Sequence, residues 1–192
     1  MALSWNCSTQ AEGSVIPPEE TKIIIEPEIR GAQAWAERHG FPFTWIPENL
    51  EVRVILRQMK DGSEFFLRGR FPDYRALAPE WTFSDAAWQH SGRLADFPKP
   101  TPTRFGASIF IQFQNPQLSI PNHAVICAPF NRLAYTAGAG PHGNWGGPEQ
   151  WMEVGKQPAA PGAATEVRAE TVGDMLQIIH RDFSCTDGRM GP

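Results

Sequence analysis

The sequence lacks the features of nucleic-acid-binding and membrane-spanning proteins. No stretch concentrates Lys and Arg among aromatic residues. The chain contains 17 basic and 21 acidic side chains, which gives a net charge of −4. Because phosphate contacts dominate affinity for nucleic acids, this balance argues against a nucleic-acid ligand. The longest apolar runs, such as 23–25 and 124–127, are far shorter than the roughly 18 to 20 residues that span a bilayer. We therefore expect neither nucleic acid nor a membrane among the partners of this chain.

Cysteine is scarce, and its spacing is not that of a metal or redox site. Cys7, Cys127 and Cys185 are an odd number and show none of the paired spacings used by zinc sites or redox motifs. The segment MALSWNCSTQ at the N-terminus also lacks the basic and apolar regions of a signal peptide. These absences predict a reduced, cytoplasmic setting.

The sequence does contain enough apolar surface for one folded domain. Hydrophobic residues make up 41% of the chain and include 12 Phe, which can offset the entropy lost on folding. At about 150 residues per domain, 192 residues leave little room for a second one. Residues 1–20 are polar and contain a Pro-Pro pair, so we expect them to be a flexible or docked arm. Residues 21–192 are expected to form a single domain.

Helical spacing is followed by strand alternation in the first half of the chain. Pro27 can start a helix and Gly40 can stop it, which predicts a helix over 27–39. The alternation of apolar and polar residues after this helix predicts an antiparallel β-meander. Its four strands are expected at about 50–57, 65–71, 81–83 and 108–113.

A long loop and a second helix are predicted for the second half. Residues 136–165 are rich in Gly, Pro and Ala, which favours a loop. Thr171, with Asp174 three residues later, can cap a helix over 171–183. The fold class is therefore α+β: an N-terminal helix, a four-stranded antiparallel meander, a long loop and a C-terminal helix. The buried face of the last helix should comprise Val172, Met175, Leu176, Ile179 and Phe183.

Three features in chain order carry a resemblance to a known family. The exit of the second predicted strand has a pattern of aromatic residues and prolines: Phe71, Pro72, Tyr74, Pro79 and Phe83. Ile126 directly precedes Cys127 after the fourth predicted strand, and a loop with Trp145 and Trp151 then leads to the last helix. Over about 27–183 the chain resembles the ubiquitin-conjugating enzymes, which carry a ubiquitin-like protein as a thioester on one cysteine and show this pattern.

The resemblance implies a fold, an activity and partners. Cys127 would accept a ubiquitin-like protein from an activating enzyme as a thioester and transfer it to an amine of a target protein. Such a transferase requires no metal or organic cofactor, because it positions an amine, excludes water and stabilises an oxyanion. The long loop after Cys127, and the absence of predicted helices after 171–183, resemble divergent prokaryotic members of the family. Those members act in bacterial antiphage defence, which the resemblance implies for this cytoplasmic protein.

Several side chains are candidates to assist Cys127. The His-Pro-Asn triplet of the family is incomplete here, because only Pro121-Asn122 is present, closer to Cys127 than in the family. Asn122 is therefore a candidate oxyanion donor, and Asn115 competes with it. His142, in the loop, is a candidate proton acceptor or gate, although a turn histidine without catalytic duty explains it as well.

Two other functions remain open for the same residues. Most unpaired cysteines fill a protein core, so Cys127 can also be inert, in which case the chain is a binding or scaffold module of the same fold. A cysteine hydrolase that uses Cys127 and His142 is a third possibility, but no evident acid orients His142. The pair Asn131-Arg132 is a candidate for binding the tail of the carrier protein, and a solvated arginine explains Arg132 equally well.

Overall fold

The computed structural model describes residues 16–101, 108–115, 120–136, 147–154 and 169–191. Within these ranges, the protein is mixed α+β, with an N-terminal helix, a four-stranded antiparallel sheet and a C-terminal helix, as the sequence predicts. No helix in the described ranges is long and apolar enough to cross a membrane. In chain order the elements are α1 (Pro18–His39), β1 (Phe43–Ile46), β2 (Glu51–Arg57), β3 (Glu64–Arg70), β4 (Glu80–Ser84), β5 (Pro98–Pro100), β6 (Phe110–Asn115), β7 (Ile120–Ile126), α2 (Arg132–Thr136), α3 (Trp151–Val154), α4 (Val172–Phe183) and β8 (Thr186–Arg189).

Helix α1 begins nine residues earlier than the sequence predicts. It starts at Pro18, so Pro27 lies inside the helix instead of opening it. A proline inside a helix costs about 3 kcal/mol, but Ile25 and Ile29 are buried on either side of it, and their burial offsets that cost. The predicted end is correct, because Gly40 adopts the left-handed conformation at φ 70° that closes the helix.

The main sheet is an antiparallel meander with strand order β1-β2-β3-β4. Its strands β2, β3 and β4 were predicted, whereas the four-residue β1 was not. The strand predicted at 108–113 does not join this sheet. It corresponds to β6, which pairs with β7 in a separate two-stranded hairpin, with Phe110 opposite Ile126.

The segment that follows β4 explains why β6 does not pair with β4. Gly92 donates its N–H to Phe83 O at 3.0 Å, and Ser91 pairs with Ser84. The end of β4 therefore already has a backbone partner. Ala124 of β7 then donates to Gly92 O at 3.2 Å, so the hairpin attaches to the sheet through this intervening segment.

Helix α4 is capped and buried as predicted. Thr171 accepts a hydrogen bond from the Asp174 N–H, and the Asp174 carboxylate accepts one from the Thr171 N–H, which completes a capping box. Its buried face packs on α1 and on the inner face of the main sheet, where the Phe183 ring lies 5.2 Å from that of Phe65. Each large apolar side chain buried there contributes about 1.5 to 3 kcal/mol. The five side chains predicted for this face are all buried: Val172, Met175, Leu176, Ile179 and Phe183.

Further elements lie where the sequence predicted none. Within the predicted loop 136–165, the described residues 147–154 form a 3₁₀ turn followed by α3. After α4, β8 pairs antiparallel with the proline-containing β5. Residues 1–15 of the predicted N-terminal arm lie outside the described residues.

Candidate site around Cys127

Cys127 lies immediately after the last residue of β7. Its N–H donates to Ile109 O at 2.7 Å, and Ala128 donates to Ile126 O at 3.1 Å. Pro129 has no N–H to continue the ladder, so the hairpin ends here. The Cys127 side chain is half-buried, which leaves part of it accessible at a position that the backbone fixes.

The side chain of Asn131 links the segment that carries Cys127 to the main sheet through hydrogen bonds. Its side chain is fully buried and donates to Ile126 O at 2.7 Å and to Trp81 O at 3.0 Å. Its amide oxygen accepts from Trp81 N at 2.9 Å and from Leu133 N at 3.3 Å. One amide therefore connects the start of β4, the end of β7 and the first turn of α2.

The side chain of Asp182, in α4, also makes a hydrogen bond near the segment that carries Cys127. Its carboxylate, nearly buried, accepts a hydrogen bond from Ile109 N at 2.9 Å. The carbonyl of Ile109 accepts the Cys127 N–H, so a short chain of hydrogen bonds leads from α4 to the cysteine. Arg181 donates to the second carboxylate oxygen at 3.0 Å, which compensates part of the buried charge.

Sequence reasoning missed the positions of Asn131 and Asp182, although both leave a signal. Asn131 precedes a short helix and accepts from the N–H two residues on, as an N-cap residue does. Asp182 is a charged residue on the apolar face of α4, beside Phe183. Arg132 is not the solvated side chain considered from sequence, because it donates to Glu80 at 2.6 Å and is only 18% exposed.

The aromatic pattern after β3 packs against α1 and α3. Tyr74 is fully buried and donates to Glu28 at 2.7 Å. Trp151 of α3 is buried, donates to Arg75 O at 3.2 Å and lies with its ring 6.0 Å from that of Tyr74. These contacts are structural. They connect α1, α3 and the segment after β3.

Tyr135 of α2 holds the backbone just beyond Cys127. Its hydroxyl donates to Pro129 O at 2.9 Å. Burial, together with the charge of Glu149, raises the pKa of Tyr135 to about 12. The phenol therefore keeps its proton at neutral pH and remains a donor to this carbonyl.

The other predicted site residues fall where the structure describes only the backbone or nothing. The backbone of Asn122 lies in β7, five residues before Cys127. Asn115 ends β6, opposite Ile120. The side chains of both asparagines, like the whole of His142, lie outside the described residues. The roles of all three stay predictions.

Burial determines the protonation state of Cys127. It raises the pKa of the thiol to about 11, because a thiolate is poorly solvated there. At neutral pH the sulfur therefore carries a proton and is a weak nucleophile until a base removes it. Among the described residues, no group of three or more His, Cys, Asp and Glu side chains could hold a metal ion.

We expect this burial to appear in the pH dependence of alkylation. In a Cys7→Ala, Cys185→Ala variant, iodoacetamide should modify Cys127 about a hundredfold more slowly at neutral pH than a thiol of pKa 9, because two pKa units separate their thiolate fractions. The rate, followed by intact mass, should continue to rise until about pH 11. A rate that levels off below pH 9 would contradict the burial of this thiol.

The comparisons with known proteins complete the description of the site. No family model, no curated protein and no solved structure matches this chain. The resemblance to ubiquitin-conjugating enzymes therefore rests on the residues of this chain alone.

Proposed function

We propose that this chain is a ubiquitin-like protein conjugating enzyme that forms a thioester on Cys127. It would receive the ubiquitin-like protein from an activating enzyme and transfer it to an amine of a target protein. The setting implied by the resemblance is bacterial antiphage defence. One observation carries the proposal: Cys127 is half-buried directly after a strand, and backbone hydrogen bonds hold the residues on both sides of its sulfur.

The proposed reaction has two acyl transfers. In the first, Sγ of Cys127 attacks the carbonyl carbon of the thioester on the activating enzyme. The new carbon–sulfur bond forms as the old one breaks, and the Cys127 proton ends on the leaving sulfur. In the second, the target amine attacks the same carbon, the bond to Sγ breaks, and one amine proton ends on Sγ. Neither step changes an oxidation state.

The surroundings of Cys127 suit slow, controlled transfer. A thiol with a raised pKa leaves more slowly from its thioester than an acidic thiol does. The loaded form would therefore persist until a positioned amine arrives. The bonds that Asn131 and Asp182 make to the flanking backbone would keep the reacting carbon in one place while the amine approaches.

The same pKa also favours a second candidate, a non-catalytic module that binds a ubiquitin-like protein. A protonated, half-buried thiol can remain unreactive. This candidate predicts complex formation without any covalent bond.

A single-turnover assay separates these candidates. The chain is loaded with its activating enzyme, ATP and ubiquitin-like protein, ATP is removed, and free lysine is added. The proposal predicts a reductant-sensitive adduct that disappears as a lysine conjugate forms. A binding module would co-elute with the ubiquitin-like protein without an adduct. A hydrolase would instead release the carboxylic acid from a small thioester substrate without any partner protein.

A further inference from the structure

The face of the main sheet that points away from α1 and α4 carries an excess of arginine. Alternate residues of β2 and β3 point to this side, while residues such as Val54 and Leu67 point into the core. We call it the arginine face, and it comprises the side chains of Arg53, Arg57, Arg68, Arg70 and Arg132. Among the residues that the structure describes, three carboxylates form ion pairs with these five arginines: Glu51, Glu64 and Glu80.

Two arginines of this face lie directly opposite each other on neighbouring strands. Arg53 of β2 faces Arg68 of β3 in the sheet register, an arrangement in which like charges destabilise a sheet. The buried carboxylate of Glu51 lies between them, 2.6 Å from a nitrogen of each. One negative charge is thus shared by two positive charges, which leaves one in excess.

A second shared carboxylate lies beside the first. Glu80 of β4 is 2.6 Å from Arg132 and 3.7 Å from Arg70. Arg70 is opposite Glu51 on one side and Glu80 on the other, so both shared carboxylates belong to one patch. Arg70 is 40% exposed and only loosely paired. Within the described part of the chain, the four arginines and two carboxylates of the patch leave two positive charges in excess, although the whole chain has a net charge of −4.

Aromatic residues fix the position of Arg53 at one edge of the patch. The guanidinium of Arg53 lies 5.0 Å from the centre of the Trp88 ring, within the range of a cation–π interaction. Trp88 in turn meets Phe66 edge-on, with ring centres 5.5 Å apart. Arg53 is thus fixed by both Glu51 and Trp88, so little side-chain entropy remains to be lost when a ligand binds it.

We propose that the patch formed by Arg53, Arg68, Arg70 and Arg132 binds an extended acidic segment of a partner protein. Arg68 and Arg70 are two residues apart on one face, about 7 Å, which is also the spacing of alternate side chains in an extended peptide. Two carboxylates so spaced would neutralise the two excess charges. A nucleic acid fits less well, since its affinity depends on many phosphate contacts and this acidic chain offers few. The proposal does not depend on Cys127.

Fluorescence anisotropy with a fluorescein-labelled peptide of alternating Glu and Thr tests this proposal on the full chain. Arg70→Gln should weaken binding about fivefold at low ionic strength, because it removes an exposed guanidinium of the patch while Glu80 keeps Arg132. Arg57→Gln is the matched control, since Arg57 lies on the same face but is paired with Glu64 outside the patch. It should change affinity less than twofold.

Each outcome bears on the proposal. Binding that weakens with added salt and requires Arg70 supports it, whereas a peptide of alternating Gln and Thr should not bind. No binding of the acidic peptide by the wild-type chain would overturn it, and so would equal losses from Arg70→Gln and Arg57→Gln. An oligothymidine of the same charge that binds as tightly and displaces the peptide would show a general polyanion surface, which also overturns it.

Discussion

Replacing Cys127 with alanine is expected to abolish the covalent adduct with the ubiquitin-like protein, because it removes the sulfur that accepts the acyl group. The variant should stay folded, since a missing thiol leaves only a small cavity that costs about 1 kcal/mol. Adduct formation is measured on non-reducing gels after incubation with ATP, the activating enzyme and the ubiquitin-like protein, and circular dichroism checks the fold.

Two further variants make the result specific to this residue. Cys185→Ala should load normally, because the contacts that Cys185 makes to Thr101 and Asp182 use backbone atoms, which alanine retains. Cys127→Ser should load weakly and give an oxyester that survives thiol reductant, since an oxyester exchanges poorly with thiols. Normal loading of Cys127→Ala would show that Cys127 is a core residue and not the acyl acceptor.

Replacing Asn131 with alanine is expected to lower the free energy of unfolding by about 3 kcal/mol or more. The substitution leaves Trp81 N, Trp81 O and Ile126 O without their buried partner, and each unsatisfied group costs about 1 to 3 kcal/mol. Urea unfolding followed by tryptophan fluorescence measures the change. Asn49→Ala is the control, because Asn49 is exposed, and it should stay within about 0.5 kcal/mol of the wild-type chain.

The Asn131→Asp variant separates hydrogen bonding from side-chain volume. A carboxylate can still accept from Trp81 N but cannot donate to the carbonyls of Trp81 and Ile126. We expect a larger loss of stability than for alanine at neutral pH, because a buried charge would face two carbonyl oxygens. Part of the loss should be regained on acidification, when the carboxyl gains a proton. Equal stability of the Asp and Asn proteins would contradict the donor role of Asn131.

Elements defined by local residue patterns could be predicted, whereas those defined by tertiary pairing could not. The α4 capping box and its apolar face are encoded within one continuous stretch of sequence. The start of α1 was predicted wrongly, because burial of Ile25 ahead of Pro27 outweighs the local preference of proline. The partner of β6 was also predicted wrongly. The end of β4 is already occupied by the hydrogen bond from Gly92 to Phe83, and this bond is a tertiary contact that no local pattern indicates.

In the candidate site, too, tertiary contacts could not be predicted from local residue patterns. The sequence predicts Cys127 after the strand at 108–113, and in the structure a further strand, β7, lies between that strand and Cys127. The residues that fix its backbone, Asn131 and Asp182, act through contacts to Trp81 and Ile109 that are distant along the chain. No spacing rule brings such residues together, so the sequence pattern alone does not reveal them.

The most direct test of the central claim is the intact mass of the wild-type chain after incubation with ATP, a demonstrably active activating enzyme and the ubiquitin-like protein. The account predicts a mass increase equal to one ubiquitin-like protein less one water, removed by thiol reductant and located by peptide mapping at Cys127. An unchanged mass, while the activating enzyme itself carries the thioester, would contradict it.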